Sequence, residues 1–295
     1  MTTEVVTMGE AMRLLVAEPG VSLRRARTFR ACVAGAESNV AVGLARLGHR
    51  VRFLSRVGGD PTGAAVLATL KAEDVDVSAV DTDSGGYTGI LLRDSHPSRA
   101  IEVQYHRAGS AAAGLTARYV REQGLDGARL VHVSGITPML SDDARAATAE
   151  LLAMARAEGA TISFDPNVRR RLAAPECWRE TLAPLIVQAD LVFAGADELR
   201  IMGMSAHDLK AQAVVVKHRD HSCQIVTPAG TWHLPSAATT VVDPVGAGDA
   251  LVSGYLSAWL RGAGPESALR RGLASAASVV ACVTDIEGLP DQEDR

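Results

Sequence analysis

The 295-residue sequence predicts an α/β fold in which helices cover both faces of a mostly parallel sheet. Along most of the chain, short runs of β-branched residues alternate with Ala- and Leu-rich stretches of helical periodicity. Hydrophobic residues make up 47% of the chain, enough for the sizeable core that such a fold buries. Two segments, 24–33 and 87–106, break the alternation and have the pattern of extended β structure. They predict a second, smaller sheet beside the main one.

The elements of the main fold follow in order along the chain. The first predicted strand contains Val5 and Val6, and the later strands span 51–54, 130–133, 161–164, 191–193 and 213–216, with a hairpin near 224–234. The predicted helices span 37–47, 61–71, 141–158, 176–187, 248–260 and 265–283. Gly48 is a typical stop signal after the first helix, and Pro61 is typical of a first helical turn. Strands that alternate with helices in this way favour parallel pairing.

The smaller sheet is predicted to form a lid. Segment 87–106 has the pattern of a hairpin with a turn at 94–98, and segments 24–33 and about 12–16 would add strands to it. We expect this lid to project from a single domain spanning residues 1–295. It would cover the C-terminal ends of the main strands, where open α/β sheets bind their ligands. Its outer face needs cover, so we expect a homodimer through the lid or a higher homo-oligomer.

Charge and composition argue against several classes of protein. The chain has 30 basic and 34 acidic residues, well mixed and without a basic tract, which argues against nucleic acid as a partner. No apolar run approaches the length of a membrane span, and the first residues lack the pattern of a secretory signal. The four cysteines are scattered without a C-x-x-C pair, so we expect reduced thiols in a cytoplasmic protein rather than a disulfide framework or a zinc site.

A glycine-rich turn near the C-terminus carries the clearest chemical signal. It consists of Asp243-Pro-Val-Gly-Ala-Gly-Asp249 and leads directly into a predicted helix. Glycine accepts backbone conformations that let N–H groups converge on one point, and the N–H groups of a helix N-terminus bind anions. Asp249 is electrostatically wrong for a passive anion site, but it fits a base that takes a proton from a group attacking the anion. Taken alone, the aspartate also fits a simple helix cap.

The turn differs from two common nucleotide-binding motifs. It lacks the Lys-Ser/Thr pair of the Walker pattern, and it does not match G-x-G-x-x-G. A dinucleotide-dependent oxidoreductase is disfavoured, because the early part of the chain lacks that glycine fingerprint.

Segment 243–250 closely resembles the second signature of the ribokinase-like (PfkB) carbohydrate kinases. Segment 34–48, followed by 57–63, resembles the first signature of the same family. The two motifs lie far apart in the family's order, so the resemblance is more specific than either motif and extends over essentially the whole chain. It implies a ribokinase-like three-layer sandwich with a small β-sheet lid. It also implies ATP-dependent phosphorylation of a sugar hydroxyl with Mg²⁺, and it leaves a K⁺ requirement open.

Within the family, four further segments resemble those of 2-keto-3-deoxygluconate kinases: 86–89, 105–111, 134–137 and 165–169. The resemblance implies phosphorylation of that sugar acid at O6. It also implies an acceptor pocket, with Gly35 and Asn39 at the hydroxyls, Tyr87 and Tyr105 as walls, Ile136 against the sugar, and Arg107 and Arg169 at the carboxylate. Independently of the resemblance, a sugar acid needs a cationic clamp, and the planar fork of arginine matches a carboxylate.

The turn and its surroundings are expected to act in phosphoryl transfer. Asp249 would be the general base, and backbone N–H groups of the turn would stabilise the transferred phosphoryl group, a set formed by Gly246, Ala247, Gly248 and Asp249. Lys217, at the end of a predicted strand, and Arg219 are expected to contact the nucleotide phosphates. The resemblance implies that Glu198 holds Mg²⁺ through water and that Asp243 is a ligand of a monovalent cation.

The nucleotide side departs from the family pattern at three places. Gly195 stands where relatives carry an asparagine, residues 218–222 replace a Gly-x-x-Gly turn, and Leu273 lies close to the place of another asparagine. These departures leave open a catalytically weak sensor of sugar acids, although the intact Asp249 argues against it. Independently of them, the same chemistry on another acceptor also stays open, with fructose, ribose, a nucleoside or 2-keto-3-deoxygalactonate as the alternatives.

Overall fold

The computed structural model describes residues 3–96 and 100–291. Its strands, in chain order, are β1 (Val5–Met8), β2 (Met12–Ala17), β3 (Phe29–Ala34), β4 (Val51–Leu54), β5 (Arg56–Gly58), β6 (Asp81–Asp83), β7 (Ile90–Arg93), β8 (Val103–His106), β9 (Leu130–Ser134), β10 (Thr161–Asp165), β11 (Leu191–Gly195), β12 (Ala213–Lys217), β13 (Cys223–Thr227) and β14 (Gly230–Leu234). Its α-helices are α1 (Ala36–Arg46), α2 (Pro61–Ala72), α3 (Ala117–Gln123), α4 (Asp142–Glu158), α5 (Pro175–Ile186), α6 (Ala196–Met202), α7 (Ala247–Leu260) and α8 (Pro265–Val280).

Eight of these strands form the main sheet, in the order β14-β13-β12-β11-β10-β9-β1-β4. The strands from β12 to β4 pair in parallel, and β13 and β14 form an antiparallel extension. Neighbouring residues of one strand enter cores on opposite faces: Val5 and Val215 belong to one apolar cluster, and Val6 and Val214 belong to the other. Burial of both faces is typical of a parallel sheet covered by helices on each side. The predicted α/β class and its layers are therefore confirmed.

Local signals account for the boundaries of the helices. The side chain of Ser141 accepts a 2.9 Å hydrogen bond from a backbone N–H in the first turn of α4. The same helix ends at Gly159, whose φ of 75° is left-handed and therefore favours glycine. Helix α8 ends at Val280, ahead of the predicted 283, because the N–H of Cys282 bonds to a carbonyl three residues back rather than four.

The second sheet has the strand order β3-β2-β7-β8. Strand β2 pairs with β7 in parallel, whereas both outer pairs are antiparallel. The predicted strand 24–33 begins only at Phe29, because the preceding residues form a turn in which the N–H of Arg25 bonds to the carbonyl of Ser22 at 2.9 Å. Strands β7 and β8 are the arms of the predicted hairpin 87–106, and residues 97–98 of its predicted turn lie outside the described residues.

One face of this small sheet lies over the main sheet. Met12, Leu91 and Tyr105 line a cavity that is also lined by Asp165 and Lys217, the last residues of β10 and β12. The cavity is therefore at the C-terminal edge of the parallel strands, the edge at which such sheets bind ligands. Within residues 3–96 and 100–291, no helix has the length and apolar character needed to cross a membrane.

Candidate active site

A cavity of about 630 Å³ lies between the lid and the C-terminal edge of the main sheet. It collects most of the residues that the sequence predicted for the site, although they come from distant parts of the chain. These residues are Gly35, Asn39, Tyr105, Arg107, Ile136, Arg169, Glu198, Lys217, Gly246, Gly248 and Asp249. The size is within the usual range for sites that bind small molecules.

The floor of the cavity includes the turn that leads into α7. Gly246 has a left-handed φ of 85°, and a Cβ atom placed there would lie 2.8 Å from the carbonyl oxygen of Asp285, so only glycine fits. The N–H of Ala250 donates the first helical hydrogen bond of α7, to the carbonyl of Gly246 at 2.9 Å. The N–H groups of Ala247, Gly248 and Asp249 precede that bond and have no partner within the helix. They form an anion-binding end of the helix.

Asp249 lies in the first turn of α7, half-buried at the cavity. Its Oδ2 accepts a 2.7 Å hydrogen bond from Nδ2 of Asn39, in α1. Burial raises the pKa of Asp249 to about 7, although the Asn39 hydrogen bond and the charge of Arg169 favour the ionised form. A carboxylate with a pKa near neutrality, beside an anion-binding helix end, is suited to accept a proton.

Glycine at the start of α1 brings Asn39 to Asp249. Gly35 has a φ of 155°, and a Cβ atom there would lie 2.2 Å from the carbonyl oxygen of Glu10. The helix therefore begins in close contact with the end of β1. The Oδ1 atom of Asn39 is buried and has no hydrogen-bond partner among the described residues. A ligand hydroxyl that donates to this oxygen would satisfy it.

Arg107 is buried and forms an ion pair with Glu10, which is buried as well. The Oγ of Ser110 donates a 2.5 Å hydrogen bond to the other oxygen of Glu10. Burial raises the pKa of Glu10, and the charge of Arg107 and the Ser110 hydrogen bond offset that effect only in part. The guanidinium of Arg107 also lies 5.6 Å from the ring centroid of Tyr105, within the range of cation–π contact.

Glu10 was not among the predicted site residues. The available signal was its place two residues after the end of β1, since charged residues at the C-terminal ends of parallel strands gather at one edge. Because Glu10 balances the charge of Arg107, this arginine is a structural part of the cavity wall as well as a predicted contact of the substrate.

Arg169 is an exposed cation at the wall of the cavity. Its Nη1 donates to the backbone carbonyl of Asn167 at 3.3 Å, and among the described residues no carboxylate lies within ion-pair distance of it. The neighbouring Arg170 also lines the cavity. Nη1 of Arg171 donates to the carbonyl of Val103 in β8 at 2.9 Å, which connects this loop to the lid. Arg169 is therefore placed to bind an anionic group of a ligand.

Lys217 stands between two cavities. Its Nζ donates a 2.7 Å hydrogen bond to Oδ2 of Asp165. Burial disfavours the charge of this lysine, but the carboxylates of Asp165 and Glu198 outweigh burial and raise its pKa. A second cavity of about 430 Å³ shares Lys217 and Gly248 with the first, so the two cavities meet at the start of α7. Apolar side chains dominate its wall, among them Val241, Leu251, Leu273, Ala276 and Val280.

Glu198 faces the first cavity, and its oxygens accept hydrogen bonds from Val168 N at 2.7 Å and from Gly195 N at 2.5 Å. A Cβ atom at Gly195 would lie 3.2 Å from Oε2 of Glu198, so the absence of a side chain gives this carboxylate room. Within the described residues, no group of three or more His, Cys, Asp or Glu side chains is placed to hold a metal. Mg²⁺ in phosphate sites keeps several waters and needs few protein ligands, so Glu198 fits a contact through water.

Asp243 does not fit the prediction that it binds a monovalent cation. Its side chain is 1% exposed, and Oδ2 accepts a 2.5 Å hydrogen bond from Nη1 of Arg93. Oδ1 accepts the N–H of Val245 at 3.0 Å. A guanidinium already occupies the position at which a cation would approach this carboxylate. Arg93 was not predicted as a site residue.

Two other predicted residues lie away from the cavity walls. Tyr87 is 41% exposed, and its hydroxyl donates an exposed 2.8 Å hydrogen bond to the carbonyl of Ala108. Arg219 is exposed and forms a 2.5 Å ion pair with Asp197. Tyr87 and Arg219 line neither of the two cavities described here. In both cases a polar partner on the surface holds the side chain away from the cavity.

Comparison with known proteins agrees with this architecture. A family model described as pfkB family carbohydrate kinase matches residues 2–292. The chain is 37% identical to 2-dehydro-3-deoxygluconokinase of Bacillus subtilis, over 99% of this chain and 94% of the relative. It is 31% identical to 2-dehydro-3-deoxygalactonokinase of Haloferax volcanii, over 94% of this chain and 91% of the relative.

Solved structures lead to the same family. The crystal structure of a PfkB protein from Polaromonas sp. JS666 superposes with a TM-score of 0.87 at 36% identity, covering 99% of this chain and 98% of that one. A candidate ribokinase II of E. coli, solved with ATP and Mg²⁺, has the same fold with a TM-score of 0.90 at 22% identity, over 99% of this chain and 97% of that one. The chain belongs to the pfkB family of carbohydrate kinases and is a carbohydrate kinase with the ribokinase-like fold.

Proposed function

We propose that this kinase transfers the γ-phosphoryl group of ATP to a hydroxyl of a sugar acid, foremost O6 of 2-keto-3-deoxygluconate. One observation carries the proposal: Asp249, at the anion-binding start of α7, faces the same cavity as Arg169, a cation without a carboxylate partner among the described residues. The first residue can activate a hydroxyl, and the second can bind the carboxylate that distinguishes a sugar acid from a neutral sugar.

The proposed reaction begins with proton transfer to Asp249. As this carboxylate takes the proton of the acceptor hydroxyl, the hydroxyl oxygen forms a bond to the γ-phosphorus. The bond between that phosphorus and the β–γ bridging oxygen breaks, and ADP leaves. The N–H groups of Ala247, Gly248 and Asp249 are placed to stabilise the negative charge on the transferred group. The Asn39 hydrogen bond orients the carboxylate for the transfer.

The acceptor pocket would be built mainly from the lid and α1. Gly35 and Asn39 would contact sugar hydroxyls, Tyr105 would form a wall, and Ile136 would contact the sugar. Arg107 would contact the sugar acid while it keeps its ion pair with Glu10. Tyr87 would have to leave its present hydrogen bond to reach the sugar, so any contact of Tyr87 needs a movement of the lid.

The second cavity is proposed to bind the nucleotide base. Its apolar wall suits a flat aromatic ring, and it meets the first cavity at Lys217 and Gly248, where the phosphates would lie. The candidate ribokinase II of E. coli, which shares this fold, was solved with ATP and Mg²⁺. When bound with ATP, Mg²⁺ would neutralise phosphate charge, and Glu198 would hold it through water. Arg219 would reach a phosphate only after release from Asp197.

A coupled assay of ADP release against a panel of acceptors tests the proposed function. The panel contains 2-keto-3-deoxygluconate, its galactonate epimer, fructose, ribose and a nucleoside, each with ATP and Mg²⁺. We expect the highest kcat/KM for the gluconate compound. The relative from H. volcanii makes the galactonate epimer the second candidate. A preference for fructose or ribose would contradict a sugar-acid substrate, and sugar-acid binding without turnover would indicate a sensor.

Self-association and location remain predictions. On the outer face of the lid, Leu15, Ile90 and Leu92 are half-buried and Phe29 is 37% exposed, an apolar surface that a second copy of the chain would cover. We propose a homodimer through this face. Leu92→Asp should then convert a dimer into a monomer in sedimentation velocity, and an unchanged mass would contradict the interface. All four cysteines are free thiols, which is compatible with the proposed cytoplasmic location.

A further inference from the structure

Arg93, at the end of lid strand β7, is a buried arginine between two buried aspartates. Its side chain is 1% exposed, and those of Asp243 and Asp285 are 1% and 6% exposed. Nη1 donates to Asp243 at 2.5 Å, and Nη2 donates to Asp285 at 2.9 Å. Nη2 also donates to the carbonyl of Val283 at 2.9 Å, and Nη1 to the carbonyl of Asp94 at 3.2 Å. Four oxygen atoms thus surround one guanidinium.

These contacts join three parts of the active site. Arg93 belongs to the lid, Asp243 begins the turn that ends at Asp249, and Asp285 follows α8. The backbone of Asp285 packs directly against Gly246, where a Cβ atom would lie 2.8 Å from its carbonyl oxygen. Arg93 therefore holds the anion-binding turn both at its first residue and through the segment that packs on its glycine.

The guanidinium also separates two negative charges. Asp243 and Asp285 are like charges in a region of low dielectric, and they repel each other unless a cation lies between them. The prediction from family resemblance placed a monovalent cation at Asp243. The structure has a covalently attached cation at that place, donated by the lid.

We propose that Arg93 is a positioning residue for phosphoryl transfer and takes the place of a monovalent cation at the anion-binding turn. The proposal rests on the role of that turn in the proposed function. With the guanidinium in place, the turn keeps its geometry without K⁺, and the lid that binds the acceptor is coupled to the groups that stabilise the phosphoryl charge.

Three variants at this position test the proposal. Arg93→Ala should lower kcat by about 10–100-fold, because small displacements of catalytic groups cost about that much, while KM for the sugar acid changes much less. Arg93→Met fills the volume without the charge and should lose as much activity as Arg93→Ala. Arg93→Lys keeps one charge but cannot bridge both aspartates, so its kcat should lie between those of the alanine variant and the wild type.

Chemical rescue separates the positioning role from a merely structural one. The Arg93→Ala protein is assayed in about 0.05 M guanidinium, K⁺ or tetramethylammonium at constant ionic strength, far below the molar guanidinium that unfolds proteins. We expect guanidinium or K⁺ to restore kcat at least about fivefold and tetramethylammonium to have no effect. The wild type should respond to none of the three. A wild type that requires K⁺, or a variant that responds to none of the three cations, would overturn the proposal.

Arg30→Ala is the matched control. Arg30 also joins the lid to the C-terminal segment, through a 2.8 Å ion pair with Glu287, but its side chain is 58% exposed. This pair lies at the surface, so its loss should leave kcat within about twofold and create no response to cations. Equal losses of kcat in Arg30→Ala and Arg93→Ala would mean that only the connection between the lid and the C-terminal segment matters.

Two outcomes keep this proposal distinct from the proposed function. Full turnover by Asp249→Asn would overturn the proposed function, whatever Arg93 does. Loss of turnover in Asp249→Asn together with full turnover in Arg93→Met would overturn the role of Arg93 alone. If the alanine and methionine variants do not fold, the lysine variant decides, since wild-type kcat there contradicts the bridging role.

Discussion

Nδ2 of Asn39 donates a 2.7 Å hydrogen bond to Oδ2 of Asp249 and joins two helices that begin at glycine-containing turns. The bond connects the N-terminal and C-terminal motifs of the family across the floor of one cavity. It fixes the orientation of a carboxylate whose ionisation is opposed by burial. One residue of each motif is therefore part of a single hydrogen-bonded pair at the proposed catalytic site.

Replacement of this carboxylate should abolish most of the rate while the sugar still binds. We expect Asp249→Asn to lower kcat by about 10²–10⁴-fold, the usual contribution of a positioned base. Asparagine has nearly the same shape and can still accept the hydrogen bond from Asn39. Calorimetric titration with the sugar acid should give a Kd within a few-fold of the wild type. Asp142→Asn, at a side chain 93% exposed, is the control and should keep full activity.

The activity should depend on pH through the ionisation of Asp249. Only the ionised carboxylate accepts a proton, and burial raises its pKa to about 7, so kcat/KM should fall about tenfold per pH unit well below 7 and level off above it. Arg169 lowers this pKa, so Arg169→Ala should move the inflection to higher pH. Values of kcat/KM measured between pH 5 and 9 for the wild type and for Arg169→Ala check the assignment. A flat profile for the wild type would exclude Asp249 as the base with this pKa.

Removal of Arg169 should discriminate between charged and neutral acceptors. The exposed guanidinium is placed for a ligand carboxylate, so Arg169→Ala should raise KM for the sugar acid by about 10–100-fold, within the range of a charge-assisted hydrogen bond. KM for a poor neutral acceptor such as fructose should stay within a few-fold. Arg145→Ala, on the surface of α4, serves as the control. Similar losses for both acceptors would argue that Arg169 supports the fold of the pocket rather than binding a carboxylate.

The Arg107–Glu10 pair should be coupled in stability. Arg107→Met leaves a buried carboxylate without its counter-charge and should destabilise the fold by about 3–5 kcal/mol. The double variant with Glu10→Gln removes both charges and should recover most of that loss. Urea unfolding of the two single variants and the double variant gives the coupling free energy. Additive effects would show that the two side chains do not interact. Arg118→Met breaks an exposed ion pair and should cause no measurable change.

Much of the fold could be predicted because its signals are local. The pattern of β-branched and helical segments placed the strands from 51–54 to 213–216 within two residues of the observed bounds of β4 and β9 to β12, whereas β5, β6 and the lid strands are not part of that pattern. The start of the lid strand β3 was predicted too early, because a turn before Phe29 uses backbone hydrogen bonds that residue type does not reveal. The short helices α3 and α6 were not predicted, because each has too few residues to show a helical periodicity of apolar side chains.

The candidate site, like the fold, has residues that local sequence signals could predict and residues that they could not. Motif residues such as Gly35, Asn39, Gly246 and Asp249 could be named from the sequence, because their backbone demands and chemistry are concentrated in short segments. The burial of Arg93 between Asp243 and Asp285 could not, since these residues lie far apart in the chain, and Arg93 and Asp285 each resemble an ordinary surface charge. Pairing between distant segments appears only when the lid folds against the turn.

The sequence by itself determined the α/β class and the family, and it marked Asp249 as the predicted base, because periodicity and two glycine-containing motifs express these features locally. Tertiary structure alone decided which charges are free and which are neutralised. Glu10 balances Arg107, Asp197 holds Arg219 outside the cavity, and Arg169 stays available to a ligand. The physical reason is that a charge depends on its burial and its partners, and both are set by the packing of distant segments.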